Sequence, residues 1–89
     1  MIMKFMSVWS IAPENMEAAL KRYREADPKP GPGVKILGRW HEVGTGKGYT
    51  LFEADNLVEL GSLCVQWADL ADMKVVPVYD DEEAAKALA

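Results

Sequence analysis

Residues 2–10 read IMKFMSVWS, apolar at most positions and without a helix signal. A run that is apolar on both faces predicts a central strand. Pro13 suits the first turn of a helix, where its missing N–H costs nothing. Met16, Ala19, Leu20 and Tyr23 then recur at i, i+3, i+4 and i+7 and form one apolar stripe. Glu17, Lys21 and Glu25 are spaced for i,i+4 pairs on the opposite face. That helix must end before DPKPGPG, residues 27–33, where prolines and glycines alternate.

Gly33 to Asp55 predicts two strands around a Gly-rich turn, VGTGKG, at 43–48. The turn resembles a phosphate-binding loop in composition only. Its glycine spacing is wrong, no Ser or Thr follows the Lys, and a strand follows instead of a helix. Asn56 and Glu59 stand at N-cap and N3 spacing and start a second helix. Leu57, Leu60, Gly61, Cys64, Trp67 and Ala68 fall on one face of it, with Gly61 expected to allow close approach to a sheet. Residues 72–80, DMKVVPVYD, predict a last strand, placed at an edge by Pro77. Asp80 and Glu83 cap a short terminal helix over 81–88.

The order is strand, helix, strand, strand, helix, strand, tail helix. With right-handed crossovers this predicts an α+β, ferredoxin-like βαββαβ domain over residues 1–89. Its four-stranded antiparallel sheet has order 4-1-3-2 and both main helices on one face. No repeat or linker interrupts it.

The hairpin register decides what the other face carries. Pairing Arg39 with Glu53 puts Val34, Ile36, Gly38, Trp40, Phe52 and Ala54 toward the helices. It leaves Leu37, Arg39, His41, Val43, Tyr49, Leu51 and Glu53 on the bare face, joined by Phe5, Ser7 and Trp9 from the first strand and by Val75 and Tyr79 from the last. Such a face is too apolar to stay in water. The same face of a second copy is the expected cover, in a two-fold homodimer that encloses a barrel-like cavity with Arg39, His41 and Glu53, where a small molecule is expected to bind.

Composition narrows the function classes. The net charge is -4, and the one basic cluster, Lys21, Arg22 and Arg24, is flanked by Glu17 and Glu25. No basic stripe marks a nucleic-acid surface, so no nucleic-acid partner is expected. No apolar run reaches the ~20 residues of a membrane span, so no membrane partner is expected. The N-terminal stretch lacks a basic region and a cleavage site, and a cytoplasmic location is the expectation. One cysteine, Cys64, excludes an internal disulfide and is expected to pack as a small hydrophobe.

His41 is the single histidine, and the side chain whose ordinary pKa lies nearest neutrality. On the same face as Glu53, it is the candidate general base, with Glu53 as its orienting carboxylate. Arg39 is the candidate clamp for an anionic substrate. Trp9 and Tyr49 complete the expected substrate-binding set, while Trp40 and Trp67 are read as core. A polar cluster that only fixes dimer register, with Arg39 and Glu53 as a cross-strand ion pair, is the alternative reading. One His and one Glu do not complete a coordination shell, so no metal is expected, and no cofactor is implied.

GVKILGRWH, GYTLFEAD and WADLADMKVVPVYDDEEA resemble an uncharacterised family of short prokaryotic proteins in the dimeric α+β barrel superfamily. The resemblance spans nearly the whole chain. It implies the same fold, a homodimer, and a small molecule bound between sheet and helices or within the barrel. The superfamily includes cofactor-free monooxygenases, haem-degrading proteins, isomerases and ligand-sensing domains, so the fold does not choose among them. Three readings follow: a cofactor-free oxygenase or isomerase, a non-catalytic binding module, and a structural module.

Overall fold

The computed structural model describes residues 2–89. Strand β1 (Met3–Ile11) leads through a 3-10 turn at Pro13–Asn15 into helix α1 (Met16–Ala26). Strands β2 (Val34–His41) and β3 (Lys47–Ala54) form the hairpin, followed by α2 (Leu57–Val65), β4 (Ala71–Val78) and α3 (Asp81–Leu88). All strand pairs are antiparallel and the order is β2-β3-β1-β4. The ferredoxin-like topology is therefore the one the pattern dictates. The doubly apolar first strand is central, and the strand holding Pro77 lies at an edge.

Local chemistry accounts for the element ends. Pro13 opens the 3-10 turn, and Asp27 ends α1 just before the Pro-rich loop. Asn56 accepts the Glu59 N–H at the start of α2 (3.1 Å). The Glu59 carboxylate accepts the backbone N–H of Gly33, which ties the Pro-rich loop to α2. Asp80 and Glu83 complete a reciprocal capping box on α3. The hairpin turn needs positive φ at Gly44 (84°) and Gly46 (75°), which glycine supplies without steric cost.

The register departs from the expected one. Arg39 faces Thr50 and His41 faces Gly48, whereas Val34 faces Ala54 and Ile36 faces Phe52. A bulge between Ile36 and Gly38 inserts one residue into β2. The extra residue exchanges the two faces for everything beyond it. Val34, Ile36, Phe52 and Ala54 lie toward the helices as expected. Arg39 and His41 join them there, and Gly38 and Trp40 move to the bare face. Phe5, Ser7, Trp9 and Val75 were expected on the bare face. They lie instead on the helix side, cross-strand from Phe52, Thr50, Gly48 and Ser7 respectively.

Two further expectations fail for geometric reasons. A Cβ on Gly61 would meet nothing within 4 Å, so it does not serve close packing on the sheet. Leu57 is 67 % exposed and takes no part in the core. The core is small: Phe5, Val34, Phe52, Ala54, Leu60 and Leu63, with Ile36, Cys64 and Val75 packed against it. It fills only one end of the space between sheet and helices.

Candidate functional site: a cavity between sheet and helices

The helix-facing side of the sheet reads as rows of cross-strand neighbours. At the core end one row runs Ile36, Phe52, Phe5, Pro77. The next runs Arg39, Thr50, Ser7, Val75, and the one beyond it His41, Gly48, Trp9, Met73. The central strands thus change from two phenylalanines to Thr50, Ser7 and Gly48. Small residues in the middle of the sheet leave the layer above them unfilled. A cavity of about 510 Å³ occupies that space, walled by Met16, Leu20 and Tyr23 from α1, by Leu63 and Cys64 from α2, and by Trp67 just past its end. Small-molecule sites fall in the range of roughly 300–1,000 Å³.

Trp9 forms part of the floor. Its indole lies across Gly48, where a Cβ would overlap Trp9 Cζ2 and come within 2.6 Å of the Trp40 carbonyl oxygen. Trp9 Nε1 donates to Thr50 Oγ1 at 3.0 Å. His41 stands at the rim with its ring edge-on to Trp9 (centroids 5.2 Å) and to Tyr23 (6.3 Å). Beside it the Arg39 guanidinium lies over the Tyr23 ring at 5.4 Å and reaches Asp27 Oδ2 at 3.5 Å. Asp27 also meets Lys29 at 3.8 Å, and its other oxygen is buried without a hydrogen-bond partner.

The structure brings together three of the five residues singled out in the sequence: Trp9, Arg39 and His41. The other two lie across the sheet. Glu53 is cross-strand from Lys4 and Lys35 on the bare face. The His41–Glu53 dyad and the Arg39–Glu53 pair are therefore not formed within the chain. Tyr49 sits between Trp40 and Val8 on that same face. Its hydroxyl donates to Glu42, which also accepts from Thr45 Oγ1 at 2.7 Å. These bonds lower the Glu42 pKa, chiefly through Tyr49, and raise that of Tyr49. Trp67 is not core but cavity wall, with Arg22 stacked over it at 5.3 Å. Trp40 is not core either: it is 54 % exposed on the bare face.

Sequence reasoning passed over Tyr23, Asp27, Ser7, Thr50 and Gly48. The small residues at alternate positions of the two central strands were the legible signal, because they mark where a sheet cannot fill its own cover. Among the described residues no cluster of three or more His, Cys, Asp or Glu could hold a metal ion. Among the described residues no helix is long and apolar enough to cross a membrane.

Cys64 gives the cavity a chemical reporter. Burial pushes its thiol above the ordinary value, because the thiolate is the form that loses hydration. Alkylation by iodoacetamide should therefore be slower in the folded chain than in urea at pH 8. In the folded chain its rate should reach half of its plateau at a higher pH than in urea. Equal rates in the two states would show that the thiol is not shielded.

Comparison with known proteins adds one finding. A single family model covers residues 3–89, almost the entire fold. The chain belongs to that family, a domain of unknown function (DUF3303). Neither the curated proteins nor the solved structures provide a match. Membership in DUF3303 agrees with the resemblance to an uncharacterised family and assigns no activity, so the chemistry must be argued from the cavity.

Proposed function

We propose that this DUF3303 domain is a small-molecule-binding module whose ligand occupies the cavity between sheet and helices. The observation that carries this reading is the cavity itself. Protein interiors pack like organic crystals, and a chain of 89 residues has little core to spare. Leaving a pocket of about 510 Å³ beside so small a core keeps apolar wall in water that could otherwise be buried. A bound ligand offsets that cost by mass action. Binding without turnover is favoured over catalysis because His41 has aromatic neighbours and, among the described residues, no carboxylate partner.

The bare face belongs to the same reading, with a second copy of this chain as its cover. Its two central rows are Gly38, Leu51, Met6, Val76 and Trp40, Tyr49, Val8, Lys74. Trp40 lies flat over Gly38, where any Cβ would overlap its ring. The outer rows carry both signs: Lys35, Glu53 and Lys4 at one end, Lys47 and Asp72 at the other. A face bordered at each end by both charges is complementary to itself. Four strands of eight or nine residues cover about 500 Å² in plan, so two copies bury about 1,000 Å², the lower bound of a specific interface.

The ligand reading is tested with two ring-sized probes, 1-naphthoate and 1-naphthalenemethanol. Trp9 emission is followed in a Trp40→Phe, Trp67→Phe background. At least one probe should quench Trp9, raise the melting temperature and slow Cys64 alkylation in the wild type. If neither does any of these at millimolar concentration, the cavity is not a binding site and the reading is withdrawn.

A further inference from the structure

We propose that the ligand is an aromatic carboxylic acid, its ring within the cavity and its carboxylate on Arg39 at the rim. This rests on the binding reading above and adds the ligand's chemical class.

Arg39 lines the cavity, and Arg22 lies nearby over Trp67; the two differ in how far the chain uses them. Arg22 is fully engaged. It holds Asp69 with both terminal nitrogens, at 2.7 and 2.8 Å, and donates to the Gln66 carbonyl at 2.7 Å. Arg39 makes no hydrogen bond to any described residue, and its one ionic contact is 3.5 Å long. Charge-assisted N–H···O bonds are ordinarily about 2.7–2.9 Å. Its side chain is nonetheless only 25 % exposed, lodged against Tyr23. A guanidinium that has lost most of its water and gained no close acceptor is left with a planar fork of donors free. Carboxylates match that fork in shape and charge.

Asp27 does not answer this need. It is not part of the cavity wall, it divides its contacts between Arg39 and Lys29, and one of its oxygens is orphaned. It positions Arg39 without saturating it. The rest of the wall selects the other half of the ligand. Trp9, Tyr23, Phe52 and Trp67 offer ring faces and edges, and aromatic pairs prefer such offset or edge-on contacts. Deep in the cavity Ser7 and Thr50 contribute only neutral hydroxyls, and both residues are buried. A charged group is therefore accommodated at the rim, beside Arg39 and His41, and not at the floor.

The discriminating experiment compares the same two probes by isothermal titration. In the wild type, 1-naphthoate should bind at least tenfold tighter than 1-naphthalenemethanol. Arg39→Met should bring the ratio to about one, and Arg39→Lys, which keeps the charge and loses the fork, should fall between. Equal affinities in the wild type, or tighter binding of the alcohol, would overturn the assignment while leaving the binding module standing. A tenfold preference that survives in Arg39→Met would overturn it too. Because the wild-type ratio alone can refute the proposal, it does not depend on the folding of either variant. Binding of neither probe would instead remove the module itself.

Discussion

Gly48→Ala should lower the stability of the domain by about 1–3 kcal/mol and abolish binding of either naphthalene probe. The new methyl would overlap the Trp9 ring and press on the Trp40 carbonyl oxygen, 2.6 Å away. A side chain alone could swing aside, but the second obstacle is backbone of the neighbouring strand. Trp9 must then leave its seat, giving up the bond to Thr50 Oγ1 and the edge contact with His41. The cavity is the space into which it would turn. For a small domain with about 5–15 kcal/mol in total, such a loss is large. Urea denaturation should show a lower midpoint with an unchanged slope. A variant that unfolds at the wild-type midpoint and keeps its probe affinity would mean that Trp9 does not rest on Gly48.

On the proposed pairing of two copies through the bare face, Leu51→Glu should give a single chain without unfolding it. Leu51 lies in the apolar middle of the bare face, between Met6 and Gly38, and points away from the cavity. A carboxylate there would be buried against its own copy across a two-fold axis, with no cation assigned to it. Burying an unpaired charge costs several kcal/mol, and the symmetry imposes that cost twice. The free chain suffers little, since the same carboxylate then meets water. Sedimentation equilibrium should give half the wild-type mass, with an unchanged far-ultraviolet spectrum. A wild-type protein that already sediments as one chain at micromolar concentration would end the second-copy reading. The cavity would be untouched, because it lies on the other side of the sheet.

The separation of these two experiments reflects where the hairpin places its side chains. Trp40 and Arg39 are neighbours in sequence, yet they serve opposite surfaces. One lies exposed on the bare face, the other edges the cavity. Strict alternation through β2 reverses that assignment. The bulge at Leu37 is the cause. Its energetic consequence is local, but it changes the face of every residue that follows until the turn.

What the chain declares in its own order is therefore its elements and their arrangement. The doubly apolar run at 2–10, the stripe from Met16 to Tyr23, the Pro-rich break, the glycine turn and the N-caps Asn56 and Asp80 each act over a few residues. Short-range sterics and hydrogen bonding are enough to make them legible, and the sheet order follows from connecting them. The pairing of His41 and Arg39 with Trp9 and Tyr23, and the exile of Glu53 and Tyr49, depended on a one-residue insertion in a ladder. Which side of a sheet a residue joins is a long-range property, settled by competition between whole registers. Only the folded molecule resolves it. The cavity belongs to the same class: Ser7, Thr50 and Gly48 are small wherever they stand, but they make room only because the two central strands align them beneath two helices.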